Sequence, residues 1–307
     1  MNWIILVIIS VLITSIVIFI DNYVSDYYFK GQEAASQKFF FAFAQIISGL
    51  IFLIIFGINF ADAEPITFIT IFGSGLIISF ASIFYYKALE IDNSTNFGIF
   101  IQLAPILYMI FSFVLFGDSI SILQIVASGV IMLAPILIIV TTRKKSRKVR
   151  IRAVLFTLLY VALGVLGNLL FAKFNNANLN FATELALVFL GKGMGNTVIM
   201  LARPSWRRRF RFVVKQSHKK VLVPLFGTAT LNIVKDFAYR GTLILAPSIA
   251  LASATTDSAM PIVIFFLGIL LTLIWPKFGR EKLDKKSVIV HLIATILVVA
   301  GIILIQI

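Results

Sequence analysis

The sequence predicts an all-α polytopic membrane protein, with ten transmembrane helices arranged as two inverted five-helix repeats. Three observations carry this reading. The 307 residues are 60% hydrophobic, with a mean hydropathy of +1.02 and only 13% charged residues, about half the charged share of a soluble domain. Ten apolar runs are each long enough to cross a bilayer, which takes about twenty residues of helix. Lys and Arg then fall almost entirely in alternate connections between those runs.

The runs are taken in order as 3–23, 38–59, 66–89, 96–116, 120–141, 152–173, 181–202, 221–242, 247–274 and 287–306. The first has no basic leader and no small-residue cleavage site, and its apolar stretch is too long for a signal peptide. Asp21, Asp26, Tyr27 and Tyr28, which follow it, read as loop. No stretch alternates apolar and polar residues, so strands are not expected. The connection after the first run holds Lys30 and Lys38, and that after the third has Lys87 at its edge. The fifth connection runs from Arg143 to Arg152, the seventh from Arg203 to Lys220, and the ninth from Lys277 to Lys286. Together these odd connections hold 23 of the 27 basic residues, whereas the second has only Asp62 and Glu64 and the fourth only Asp118. By the positive-inside rule the odd connections are cytoplasmic and both termini lie outside. The expected division is residues 1–141, a basic cytoplasmic linker 142–151, and residues 152–307. Without an organelle signal, a bacterial cytoplasmic membrane is the expected location.

The two halves repeat one another. Phe84-Tyr85-Tyr86-Lys87-Ala88 answers to Phe237-Ala238-Tyr239-Arg240-Gly241, and Leu103-Ala104-Pro105-Ile106 to Ala259-Met260-Pro261-Ile262. Gln124 and Ala134 answer to His291 and Gly301, ten residues apart in each half. Five helices per half is an odd number, so the second copy enters the membrane inverted. Inverted repeats with matched interruptions near mid-membrane mark a secondary transporter with its site between the repeats. Pro105 and Pro261 are the expected helix breaks.

The chain resembles the drug/metabolite transporter superfamily in its form with two EamA-type halves. Phe84-Tyr85-Tyr86-Lys87-Ala88-Leu89, then Leu103-Ala104-Pro105, then Phe116-Gly117-Asp118 and Ile122-Leu123-Gln124 carry the resemblance. They are similar to that family's aromatic pair with Ala-Leu, its mid-helix proline, its Gly-Glu turn (Asp118 standing for Glu) and the Gln opening its fifth helix. The second half has Tyr239-Arg240, Pro261 and Ala300-Gly301 but lacks the Gly-Glu turn. The resemblance implies a ten-helix, basket-like bundle that moves small metabolites by alternating access. Family members often have both termini cytoplasmic, and the charge distribution here argues the reverse. Members carry diverse substrates, so family alone names none.

Charges inside the apolar runs are the candidate site. Each one near a bilayer centre costs roughly 2.5–3.5 kcal/mol, so it must face protein or water. Lys192 lies midway along its run, at a place where EamA-like second helices often have a basic residue, with Gln45 as its counterpart. It is either an ammonium lining a cavity and attracting a carboxylate or phosphate, or half of an ion pair with Asp236, Asp257 or Glu184. Lys235 and Asp236 are neighbours, point about 100° apart on a helix, and are not expected to pair. Asp236 and Arg240 are four apart and able to pair, while Arg240 sits near a helix end where it can snorkel. Asn232, Asp236 and Tyr239 share one stripe, which reads as a cavity wall with Asp236 as a proton- or cation-responsive group. Asp257, four residues before Pro261, lies either at a weakened point of the helix lining the cavity or near the outer interface. Gln102 holds the equivalent place before Pro105. The glycines around Lys192 follow no strand and form no nucleotide loop; Gly191 and Gly195 have the spacing of close helix packing.

The surplus of buried cations favours an anionic or zwitterionic substrate. The expected partners are therefore a small-molecule substrate and the lipid bilayer, with proton coupling through Asp236. The net charge of +14 forms short blocks between apolar runs, so nucleic acid is not an expected partner. There is no cysteine, and neither His218 nor His291 has ligands at metal-binding spacing, so no metal or cofactor is expected. No Ser/His/Asp set, HExxH or Walker pattern stands in a supporting context, and the chain does not read as an enzyme. Two other readings are a scaffold or sensor that retains the fold, whose buried charges would tolerate neutralisation, and an integral membrane enzyme.

Overall fold

A computed structural model describes residues 2–29, 37–57, 64–91, 101, 103–117, 119, 121–142, 151–175, 179–217, 219–247, 249–274 and 285–306. Among them the regular structure is helical: α1 (Trp3–Tyr27), α2 (Lys38–Phe56), α3 (Pro65–Ile91), α4 (Ala104–Phe116), α5 (Ile122–Thr142), α6 (Ile151–Lys173), α7 (Phe181–Ala202), α8 (Pro204–Gln216), α9 (Leu222–Leu245), α10 (Ile249–Ile274) and α11 (Lys285–Gln306). Among the described residues, six stretches are long and apolar enough to cross a membrane: Trp3–Asp21, Lys38–Phe56, Pro65–Ala88, Ile151–Lys173, Phe181–Ala202 and Leu251–Ile274. This is an integral membrane protein, and most of its large exposed side chains are apolar, as lipid-facing surfaces are. Helix α9 falls outside the six because Lys235, Asp236 and Arg240 interrupt it.

Local chemistry sets the helix ends. Asn180 caps α7 by accepting from the Thr183 amide at 2.7 Å, satisfying one of the orphan donors of a helix start. Gly57 (φ 72°) closes α2 and Gly117 (φ 69°) closes α4, positions that other residues reach only with strain. Pro105 stands in the first turn of α4, where its missing N–H removes no intrahelical bond, so it opens a helix here. Pro261 lies inside α10, which continues through it without interruption. The break expected there is absent, because one lost hydrogen bond does not end a 26-residue apolar helix. Two expected loops are also helical. Helix α1 extends through Asp21 to Tyr27, burying Asp21. Residues 204–216, which read as a basic connection, form α8, with Trp206, Phe210 and Val213 buried along one stripe.

Helix α7 is the most enclosed of the six spans because glycines let its neighbours approach. Gly49 on α2 faces Leu190 and Ala186, and Gly193 faces Ile46 and Ala42, so α2 and α7 run antiparallel. On the other side Gly75 faces Val188 and Gly191, and Gly195 faces Ser79, so α3 runs parallel to α7. Helix α6 lies antiparallel to α3, with Gly167 on Ser74 and Ile78 at one level and Phe156 against Phe84 at another. Helix α1 lies antiparallel to α9: Leu6 meets Gly241 at one end, and Val24 clusters with Leu225 and Ala229 at the other. Helix α1 also packs on α10 and α6 on α4; α4 meets α10, and α5 pairs with α11 around Ala134 and Ala294. Helices α3 and α7 press together along their length, whereas α9 touches α2 only slightly.

Candidate functional site

Two helices bring most of the predicted residues together. Lys192 projects from α7 and forms a buried salt bridge with the Asp236 carboxylate on α9. The Lys235 ammonium lies 3.6 Å from the other Asp236 oxygen and is partly exposed. Adjacent helical residues diverge at their Cβ atoms, but a four-carbon stem is long enough to fold back. The expectation that these two would not pair is therefore corrected. Asp236 thus holds two cations, and the backbones of α7 and α9 otherwise scarcely meet. The charged pair and an edge contact between the Phe181 and Phe237 rings (5.3 Å between centroids) link these helices.

Arg240 does not pair with Asp236 and does not snorkel. It is 1% exposed, its guanidinium lies over the Phe171 ring at 4.2 Å from the centroid, and its Nε and one terminal nitrogen have no hydrogen-bond partner. The ring's negative face attracts the cation but leaves those donors unsatisfied. One position back on α9, the Tyr239 hydroxyl stands 2.9 Å from that of Tyr108 on α4. Asn232 lies two turns before Tyr239, half-buried. On α10 Asp257 is buried and accepts from the Ser253 hydroxyl at 2.8 Å, with Thr256 buried beside it. The position is enclosed by protein. Gln102 and Asp118 lie outside the described residues.

A second polar cluster escaped the sequence reading. Lys38, counted there as a connection residue, is buried in the first turn of α2. Its ammonium donates to the Ser79 carbonyl oxygen (3.2 Å), to the Ser82 hydroxyl and to Asn196 Oδ1 (2.8 Å). Asn196 Oδ1 also accepts from the Ser79 hydroxyl at 2.6 Å, and its amide nitrogen donates to Gln45 Oε1 at 2.8 Å. Every acceptor around Lys38 is neutral. The available signal was spacing: Asn196 lies one turn beyond Lys192 on α7 and so on the same face. Glu184, on the same helix, is buried and accepts from the Asn175 side-chain amide. Among the described residues no group of three or more His, Asp and Glu is placed to hold a metal ion.

Three buried cations, Lys38, Lys192 and Arg240, thus lie in this region, and Asp236 is the direct counter-charge of Lys192 and Lys235. The arrangement can hold an anion or exchange one against Asp236.

Comparison with known proteins accords with this geometry. Residues 1–140 match the EamA-like transporter family. No curated protein matches the sequence. A solved crystal structure of another protein superposes with a TM-score of 0.61 at 14% sequence identity, over 96% of this chain and 95% of that one. The likeness of fold therefore extends through α6–α11, beyond the region that the family model covers.

Proposed function

Because its residues 1–140 match the EamA-like transporter family, we propose that this chain belongs to the drug/metabolite transporter superfamily and is a secondary transporter of a small anionic or zwitterionic metabolite. In this reading ten helices cross the membrane, α1–α5 and α6, α7, α9–α11, with α8 lying at the interface. The two sets, 1–141 and 152–307, act as inverted halves. The packing supports this: the pair α1·α9 has its counterpart in α6·α3, and α1·α10 in α6·α4. Helix α2 runs antiparallel to α7, its equivalent in the other half, as inversion requires.

One observation carries the mechanism. The Lys192–Asp236 pair is buried, and it joins two helices whose backbones scarcely meet and which otherwise touch through the edge contact of Phe181 with Phe237. A substrate carboxylate or phosphate entering between α7 and α9 competes with Asp236 for Lys192. Capture releases the tie, and α9 becomes free to move with its half. Arg240, with two unbonded nitrogens, offers a second donor set to the same anion. Proton coupling enters if Asp236 takes up a proton when its partner is taken. Orientation follows the charge distribution, with both termini outside the cytoplasmic membrane of a bacterium.

A thermal-shift screen of the purified protein against anionic and zwitterionic metabolites, followed by uptake into proteoliposomes, tests this. A ligand of the native state raises the melting temperature by mass action. Lys192→Met is expected to abolish both the shift and the uptake. Unchanged uptake by a folded Lys192→Met protein would rule the proposal out, and uptake indifferent to an imposed pH gradient would remove the coupling.

A further inference from the structure

A groove of about 550 Å³ lies away from the charged core, lined by Phe39, Phe210, Arg211, Val214, Lys215 and Lys219. We infer that it is a binding site for an anionic phospholipid, which seats its acyl chain on Phe39, Phe210 and Val214 and its phosphodiester among Arg211, Lys215 and Lys219.

Position comes first. Helix α2 begins at Lys38 and α7 ends at Ala202; the two run antiparallel side by side, so both ends lie at the same membrane surface. Helix α8 starts two residues later and packs back on this end: Phe210 meets Phe39 at 5.2 Å between ring centroids, and the Arg209 guanidinium donates to the Phe29 carbonyl oxygen at 3.0 Å. The groove therefore opens where a transmembrane span gives way to headgroups. Its apolar floor continues into the lipid-facing surface of α2, where Phe43 is exposed next to Phe39.

Charge comes second. Phe210 and Val214 form one row on α8, and Arg211 and Lys215 form the adjoining row; Lys219, in the turn beyond the helix end, lines the same groove. One wall is thus apolar and its rim cationic. Residues 203–220 hold eight Lys and Arg and no Asp or Glu, so nothing within the segment neutralises the rim. Lys219 has φ 67°, a left-handed backbone that favours glycine. Interfacial amphipathic helices join apolar burial to attraction for anionic lipid in this way, and basic pockets beside transmembrane helices take up acidic headgroups. An acidic peptide would match the rim but not a floor continuous with the lipid-facing surface.

The full chain, purified in detergent, is titrated with phosphatidylglycerol, phosphatidylcholine, free glycerol phosphate or a poly-glutamate peptide, and its melting temperature is read. Phosphatidylglycerol alone is expected to raise it by several degrees. The variant R211Q/K215Q/K219Q, altered only at exposed positions, is expected to melt like the parent without lipid and to lose most of the lipid response. An equal response to phosphatidylcholine, free glycerol phosphate or poly-glutamate would overturn the inference, as would an undiminished phosphatidylglycerol response in the triple variant. Should the triple variant not fold, K215Q alone must lower the response, and no lowering overturns the inference equally.

Discussion

The ammonium of Lys38 on α2 lies 2.8 Å from Oδ1 of Asn196 on α7, and the acceptors around it carry no charge. With no counter-charge, its desolvation is offset by those hydrogen bonds and by the Tyr86 ring, whose centroid lies 5.8 Å from the ammonium.

Lys38→Met is therefore expected to melt at or above the parent temperature. No acceptor is orphaned by the change, because the Ser79 hydroxyl still reaches Asn196 and the Ser82 hydroxyl donates to the Ser79 carbonyl oxygen at 2.6 Å. Differential scanning fluorimetry in detergent reads the result. A loss of more than about 1 kcal/mol, the worth of an ordinary hydrogen bond, would show that the charge itself holds the helices.

At Lys192 and Asp236 the opposite behaviour is expected. Lys192→Met or Asp236→Asn alone breaks a buried pair and is expected to cost about 3–5 kcal/mol. The double variant is expected to lose much less than the sum of the two, since neither change then strands a charge. Additive losses in that double-mutant cycle would mean that the two side chains do not act as a pair.

Gly191→Ala is expected to destabilise by about 1–3 kcal/mol, the usual cost of overpacking. A methyl group there would run into the Phe72 carbonyl oxygen of α3, which is backbone and unable to turn aside. Gly73→Ala, on the other partner helix, meets nothing within 4 Å and is expected to be neutral or stabilising, as alanine is the better helix former. Equal melting temperatures for the two variants would argue against close approach of α3 and α7.

Tyr108→Phe and Tyr239→Phe each remove one end of the same 2.9 Å contact. Each is expected to cost about 0.5–1.5 kcal/mol, and the double variant no more than the costlier single one. A double loss equal to the sum would show that the hydroxyls serve separate partners.

The helical class and six of the ten expected spans were legible in the sequence because insertion into lipid imposes length and punishes stray charge; for Lys192 the sequence left a cavity wall or a pair with Asp236, Asp257 or Glu184 open, and the structure has it on Asp236. Residues that obey neither rule were misread. Lys38 abuts an apolar run, and counting charge cannot tell a cation at a helix entrance from one in a connection. Helix α8 was hidden because its stripe of Trp206, Phe210 and Val213 is diluted by arginines; the four- and three-residue intervals were there, but the charge excess spoke louder. Lys235 and Arg240 exchanged their expected roles through side-chain reach and an aromatic neighbour, Phe171, neither of which is written in local spacing.

The uneven fit of α3 on α7 and of α9 on α2 has a mechanical consequence. Glycines weld the first seam, with Gly75 and Gly191 set almost backbone to backbone. The second has no such weld, since Gly227 of α9 faces open space. Any rocking of the bundle must then part the unglued edge first, with the glycine seam as its pivot, so a bulky reagent wedged between α2 and α9 would jam the motion while one placed along α3 would find no gap to enter.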